Sequence, residues 1–145
     1  MDLSIIIPSK HEDNLVQVCS DIANLPTPEG YKVELIIVLG PADDDIRIPP
    51  LTLPVLVLRT ERYGRGLQLH AGACQSCGDM LLFLHADSKL PINGLELISA
   101  SSFEVAAFNL KFDSAHWWFR VLEFTTKWRV RATKAPYGDQ GVSIH

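Results

Sequence analysis

Leu3-Ser4-Ile5-Ile6-Ile7-Pro8-Ser9-Lys10-His11-Glu12 opens the chain and decides how the rest is read. A short β-branched apolar run closed by proline reads as a parallel strand buried on both faces, since such a strand needs apolar side chains on both sides of its pleat. Ser9 and Glu12 then have the spacing of a capping box, in which a hydroxyl and a carboxylate satisfy the free N–H groups of a helix start. Leu15, Val18, Cys19 and Ile22 follow at helical spacing, and Pro26 and Pro28 end the run. A buried strand feeding an amphipathic helix is the repeating unit of an α/β fold.

The same unit recurs outward from this start. Residues 33–39 form a second buried strand, stopped by Gly40-Pro41, and residues 42–50 an acidic, proline-bounded loop. Residues 55–58 give a third, short strand. Gly64-Arg65-Gly66 opens a helix whose inward face is expected to carry Leu67, Ala71 and Cys74, and Gly78 ends it. Residues 80–84 are the most apolar strand, expected at the centre of the sheet, with His85-Ala86-Asp87 at its carboxyl end. Pro91 suits the first turn of the next helix. A strand over 105–112, alternating from Phe108 onward, a Trp-rich helix over 116–131, a loop over 136–141 and a strand from Val142 complete the pattern. The sequence shows no repeat, linker or low-complexity tract, so a single domain over 1–145 with a mainly parallel sheet is expected. Ligands of such sheets sit outside the carboxyl ends of the strands. That rule gathers Pro8-Ser9, Leu39-Gly40, residues 60–66 and His85-Ala86-Asp87 on one surface.

Composition narrows the class. The chain has 145 residues, enough for one domain with a real core, and 47% of them are hydrophobic. Charged residues make up 21%, which argues against disorder. A net charge of −4 excludes bulk electrostatic binding of nucleic acid, while leaving room for a small anionic ligand held by a few arginines. No apolar run reaches the length of a membrane span, and the start lacks the basic region of a signal peptide. Three cysteines do not make a disulfide framework, and a reducing cytoplasm is the simplest compartment.

Several residues could carry chemistry. Asp87, ending a buried strand, is placed to hold Mg²⁺ or a similar ion, which takes one or two protein carboxylates and completes its shell with phosphate and water. The alternative for Asp87 is a turn or the cap of the following helix. Arg62 and Arg65, with Gly64 and Gly66, suit a phosphate at a helix N-terminus, or else a glycine turn with surface arginines. Gln68 and His70 face either a ligand or solvent. Glu12 is read first as a capping residue, and otherwise as an acceptor for a base or ribose. Cys74-Gln75-Ser76-Cys77 has no second cysteine pair, so Cys74 is read as a small core hydrophobe and no stoichiometric zinc is expected. Asp43-Asp44-Asp45 lacks the spaced oxygens of a calcium loop and reads as a solvated stretch. The helix bearing Trp117-Trp118-Phe119 and Trp128 is read as a core helix with a basic outer face in preference to one lying on a membrane surface.

Read together, these segments resemble glycosyltransferase family 2 of the GT-A fold, a Rossmann-like three-layer sandwich with a mainly parallel central sheet. The first strand with residues 8–12 looks like that family's opening strand and Pro-x-x-Asn-Glu turn. Residues 64–73 are similar to a Gly-Arg-Gly-x-Gln-x-Asn-x-Gly-Ala segment, residues 81–88 to Leu-Phe-Leu-His-Ala-Asp-Thr, and residues 136–141 to Pro-Tyr-Gly-Asp-Gln-Gly. The last three are close to a bacterial subgroup associated with radical-SAM and selenium-domain proteins. The resemblance implies inverting transfer from a nucleoside-diphosphate sugar, with Mg²⁺ or Mn²⁺ as cofactor. By it, Asp87 takes the metal, Glu12 with Pro8 and Ser9 contacts the nucleotide, and Arg62, Arg65 and Gln68 lie near the donor. Asp139 and Gln140 line the sugar or acceptor side; Asp139 is the one candidate to substitute for the family's base, although a loop Asp just before a strand is read first as shaping the site. Three positions depart from the family. Leu39 stands where an Asp normally holds the nucleoside, His85 takes the first place of the Asp-x-Asp metal motif, and His70 replaces an Asn.

The family's usual base, an acidic pair downstream of residues 136–141, is absent from the sequence. The chain alone is therefore expected to bind donor without appreciable transfer to an acceptor of unknown identity, and to self-associate, for example as a homodimer, through uncovered apolar surface. Two rival readings stand beside the transferase: a non-catalytic remnant that binds a nucleotide or a protein partner, and a nucleotidyltransferase-like enzyme.

Overall fold

A computed structural model of the chain describes residues 2–10, 12–43, 46–101, 105–107 and 141–144. Among these, strands β1 (Asp2–Pro8), β2 (Lys32–Leu39), β3 (Val55–Arg59), β4 (Met80–Phe83), β5 (Val105–Ala107) and β6 (Val142–Ile144) alternate with helices α1 (Leu15–Ala23), α2 (Arg65–Gln75) and α3 (Gly94–Ser99). The strands form one sheet in the order β3-β2-β1-β4-β6-β5. β1 pairs in parallel with β2 and with β4, and β2 in parallel with β3. β6 runs antiparallel to both β4 and β5. The apolar 80–84 stretch lies at the centre, as expected. The sheet is mixed and mostly parallel, and the fold is α/β.

Alternation along β1 and β2 divides the core into two layers, because successive side chains point to opposite faces. Ile5, Ile7, Leu35 and Ile37 meet Leu15, Val18, Cys19 and Ile22 of α1 and Leu95 and Ile98 of α3 on one face. Ile6, Ile36 and Val38 face the other way, toward Leu69, Ala71 and Ala73 of α2. Full burial of each such aliphatic side chain contributes about 1.5–3 kcal/mol, so β1 and β2 anchor both layers. Ser4 breaks the apolar run without cost. It is fully buried, but its hydroxyl donates to Glu34 and accepts the Gly78 N–H at 2.9 Å. Glu34 also accepts the Cys77 N–H at 2.8 Å, which fixes the turn entering β4.

Four expectations are corrected. Ser9 is no helix cap: its N–H donates to Val38 O at 2.9 Å, prolonging the sheet, and α1 begins at Leu15 after Asn14. The capping box is therefore absent, and Glu12 is not a capping residue. α2 is turned so that Gln68 and Gly72 face the sheet, while Leu67 is 49% exposed and Cys74 lies at the surface. Gly72 is the physical reason, since a Cβ there would stand 2.5 Å from Ile6 Cγ2 and 3.2 Å from Val38 Cγ2. Asp43 is not solvated but 2% exposed, and accepts the Gly40 N–H at 2.7 Å. α3 opens at Gly94, with Pro91 in the turn before it, where its carbonyl accepts the Gly94 N–H. The expected strand beyond Ala107, the helix over 116–131 and the loop over 136–140 lie outside the described residues. No helix among the described residues is long and apolar enough to cross a membrane.

The cysteines separate sharply. Cys19 is buried, and desolvation pushes its thiol up to about 11 from 9.0. The folded state thus holds the thiol proton more tightly than the unfolded chain. The associated stability is complete below pH 9 and is lost as pH rises toward 11, with a magnitude of about 3 kcal/mol. Cys74 and Cys77 are exposed. An aromatic disulfide reagent at pH 8 is expected to label those two at once and Cys19 only as the protein unfolds. Simultaneous labelling of three thiols in native buffer would contradict the placement of Cys19, as would a Cys19→Ala variant that kept the same loss of stability above pH 9.

Candidate functional site

The carboxyl ends of β1, β2 and β4 meet the amino end of α2, and a cleft of about 300 Å³ opens there. The end of β1 contributes Pro8 and Ser9, and the following turn Lys10 and Glu12. Tyr63, Gly64, Arg65 and Gln68 come from the start of α2, and His85 from the segment after β4. Pro8, Ser9, Glu12, Arg65 and Gln68, all predicted from sequence, are thus brought together. Arg62 is exposed and does not line the cleft; its carbonyl accepts the Thr60 hydroxyl at 3.0 Å. His70 is also on the outer face, with Nε2 3.6 Å from Cys74 Sγ. Asp139 and Gln140 lie outside the described residues.

Gln68 is the structural key of the cleft. Only 3% of it is exposed, and its Nε2 donates to Ser9 O at 2.7 Å and to Val38 O at 2.9 Å. Both amide hydrogens are committed to backbone, so only its carbonyl oxygen is left for a ligand. The side chain locks α2 to the ends of β1 and β2, and holds Ser9 in place from its carbonyl side. Ser9 itself is 1% exposed, and its hydroxyl has no hydrogen-bond partner among the described residues. A buried polar atom without a partner costs about 1–3 kcal/mol, which makes Ser9 Oγ an unusual feature for a wall of packed protein.

Tyr63 and Lys10 were not anticipated from sequence. Tyr63 packs on Gly40 so closely that a Cβ on Gly40 would stand 1.8 Å from the ring. The Tyr63 hydroxyl accepts the Ala42 N–H at 3.1 Å, and Lys10 Nζ lies 5.7 Å from the ring centroid. This corner is where Leu39 replaces the expected aspartate. Here the buried Asp43 carboxylate holds the Gly40 N–H, and an aromatic ring borders the cleft. The available signal was an aromatic residue directly before the Gly64-Arg65-Gly66 turn.

Asp87 lies in the turn after β4 with its side chain 61% exposed. It does not cap α3, which follows Asn93. His85 Nδ1 stands 2.6 Å from Asp87 Oδ1, so the imidazole and the carboxylate are paired at the end of β4. No cluster of three or more His, Cys, Asp or Glu side chains suited to a metal occurs among the described residues. A nitrogen and a carboxylate that already converge do fit a divalent ion whose remaining ligands come from phosphate and water.

No family model matches the chain, and no curated protein matches its sequence. Solved structures do match its fold. Residues 1–349 of TarS from S. aureus superpose with a TM-score of 0.61 at 18% identity, covering 80% of this chain and 37% of that one. The same protein has been solved in complex with UDP and with UDP-GlcNAc. The mannosyltransferase PcManGT from Pyrobaculum calidifontis, in complex with GDP-Man and Mn²⁺, superposes with a TM-score of 0.68 at 14% identity, covering 98% of this chain and 44% of that one. The chain thus spans less than half the length of the solved structures it matches. Its α/β sandwich is the GT-A-like, Rossmann-type fold of these glycosyltransferases.

Proposed function

We propose that the cleft binds a nucleoside-diphosphate sugar together with a divalent ion, and that the domain serves inverting glycosyl transfer as a member of glycosyltransferase family 2 in the cytoplasm. The observation that carries this reading is the Ser9 hydroxyl, buried at the cleft and without a hydrogen-bond partner among the described residues. A ligand oxygen or nitrogen would satisfy it. Other features support the same ligand. The N-terminus of α2, which has no side-chain cap, with Arg65 and Lys10 beside it, favours a diphosphate. A Cβ on Gly66 would meet no atom within 4 Å, so packing does not require glycine there, whereas close approach of a phosphate does. Glu12, released from capping, is available to accept hydrogen bonds from a base or ribose. Asp87 would hold the ion, Mg²⁺ or Mn²⁺, and the ion when bound supplies charge neutralisation for the departing diphosphate. By the family resemblance, Asp139 and Gln140 belong to the sugar or acceptor side, with Asp139 the candidate substitute for the family's downstream base.

Calorimetry with UDP and with GDP, with and without Mn²⁺, tests this. Wild-type protein is expected to bind one of them with metal-enhanced affinity. Asp87→Ala should remove the enhancement. Ser9→Ala should weaken binding about tenfold while leaving thermal stability unchanged or raised, because it deletes an unsatisfied buried hydroxyl. Equal affinity with and without metal in the wild type would defeat the role of Asp87. A Ser9→Ala variant that is destabilised but binds normally would defeat the role of Ser9. Release of pyrophosphate in place of nucleoside diphosphate during donor turnover would indicate nucleotidyl transfer instead.

A further inference from the structure

We propose that Cys74 and Cys77 form a reversible dithiol–disulfide switch at the outer end of α2, primed by His70 and oxidised by low-molecular-weight disulfides. Neither the cleft nor the proposed transfer uses these three side chains. Both cysteines are exposed, and so is His70. His70 Nε2 lies 3.6 Å from Cys74 Sγ, one helical turn away, at a distance suited to a thiol donating to a ring nitrogen. In the tautomer with its proton on Nδ1, that nitrogen accepts the Cys74 proton and leaves a thiolate, the form that attacks a disulfide. The third cysteine, Cys19, is buried and takes no part.

The backbone around the pair is held independently of the sulfurs. Ser76, extended at ψ 144°, ends α2, and its hydroxyl donates to Ala73 O at 2.6 Å. The Cys77 N–H donates to Glu34 Oε1 at 2.8 Å and the Gly78 N–H to Ser4 Oγ at 2.9 Å, which ties the turn to β2 and β1. A disulfide spans α-carbons about 4.4–6.8 Å apart, the scale of residues three apart where a chain turns. Closing the bond therefore asks for rotation of two exposed side chains, while α2 stays anchored through Gln68 at the cleft. Only Gln75 and Ser76 separate the cysteines. Loops this short gain the least from cross-linking, so the bond stays within reach of reducing thiols. The exchange balances in two steps. The Cys74 thiolate attacks one sulfur of the small disulfide, whose S–S bond breaks, and the departing thiolate takes the proton held on His70. The Cys77 sulfur then attacks Cys74 Sγ, its proton going to the second departing thiolate. The two cysteines lose two electrons and two protons, which the small disulfide gains as it becomes two thiols.

The reduced full chain is incubated with glutathione disulfide, remaining thiols are blocked with N-ethylmaleimide, and the products are read by intact mass and peptide mapping. The expected product is a peptide in which Cys74 and Cys77 are linked. Each exchange step releases one thiol, so an aromatic disulfide reagent still counts two reactive thiols. In Cys77→Ser a glutathione adduct should accumulate on Cys74, whereas in Cys74→Ser the adduct on Cys77 should form about tenfold more slowly. Adding His70→Gln should slow adduct formation on Cys74 about fivefold and leave the rate at Cys77 unchanged, a selectivity that general loosening of α2 would not produce. Protection of Cys19 from N-ethylmaleimide in native buffer checks that each variant is folded. Adducts on both cysteines without a link, a link to Cys19 or between two chains, or no reaction at all would overturn the switch. Equal rates at Cys74 with and without His70 would overturn its priming.

Discussion

Gly72→Val is expected to lower the unfolding free energy by about 3 kcal/mol, at the upper end of what overpacking usually costs. Gly72 faces the sheet from the middle of α2, and its first added carbon would already stand 2.5 Å from Ile6 Cγ2 and 3.2 Å from Val38 Cγ2. Ile6 and Val38 are fully buried and β-branched, so neither can turn aside easily. The helix must lift from the sheet or the strands must part. Gly72→Ala provides the graded control: it meets the same contact with fewer atoms and gains about 1 kcal/mol of helix propensity, so a smaller loss is expected. Chemical denaturation of both variants measures the difference. If Gly72→Val were as stable as the wild type, the close docking of α2 on β1 and β2 would be wrong.

Gln68→Leu is expected to cost about 2–4 kcal/mol and to remove nucleotide binding as well. Leucine is similar in size, so the loss is one of hydrogen bonding and not of volume. Ser9 O and Val38 O each lose a donor, at 2.7 and 2.9 Å. Val38 O keeps the Ser9 N–H, whereas no other donor to Ser9 O is seen among the described residues. Leaving a buried acceptor without a partner costs about 1–3 kcal/mol beyond the bond itself. Because Ser9 and the start of α2 both shift when this link goes, the cleft changes shape, and affinity for a nucleoside diphosphate should fall more steeply than stability. Comparison with Gly72→Ala, which loosens the same helix without touching these bonds, separates the two effects. A Gln68→Leu protein that binds as tightly as the wild type would show that Gln68 does not set the cleft.

Much of this fold was legible in the chain, for a definite reason. The runs Leu3-Ser4-Ile5-Ile6-Ile7, Leu35-Ile36-Ile37-Val38 and Met80-Leu81-Leu82 are so apolar and so short that buried parallel strands are their natural fate. The rule that ligands sit at the carboxyl ends of strands then gathered Pro8, Ser9, Arg65 and His85 on one surface, while Glu12 and Gln68 were added by the motifs they stand in. Local patterns misled where a tertiary contact outbid them. The Ser9–Glu12 spacing satisfied the capping rule, but Ser9 was drawn into the sheet by Val38 O and held there by Gln68. Leu67 and Cys74 looked inward on α2 because they are more apolar than Gln68 and Gly72, whereas Ala71 does pack on the sheet.

The α/β class, the central strands, the end of the sheet that carries the cleft and most of the residues that line it could be read from the order of residues. These follow from periodicity and from the handedness of parallel crossovers, which are local or nearly universal constraints. The roll of α2 came from packing, because the close approach of Gly72 to Ile6 is a matter of distance that no periodicity records. Packing likewise decided that Gln68 is a buried strut, that Tyr63 fills the space above Gly40, and that Ser9 Oγ is left without a hydrogen-bond partner among the described residues. Each of these depends on residues far apart in the chain meeting at a few ångströms. Hydrogen-bond satisfaction in a buried site is settled only at that scale.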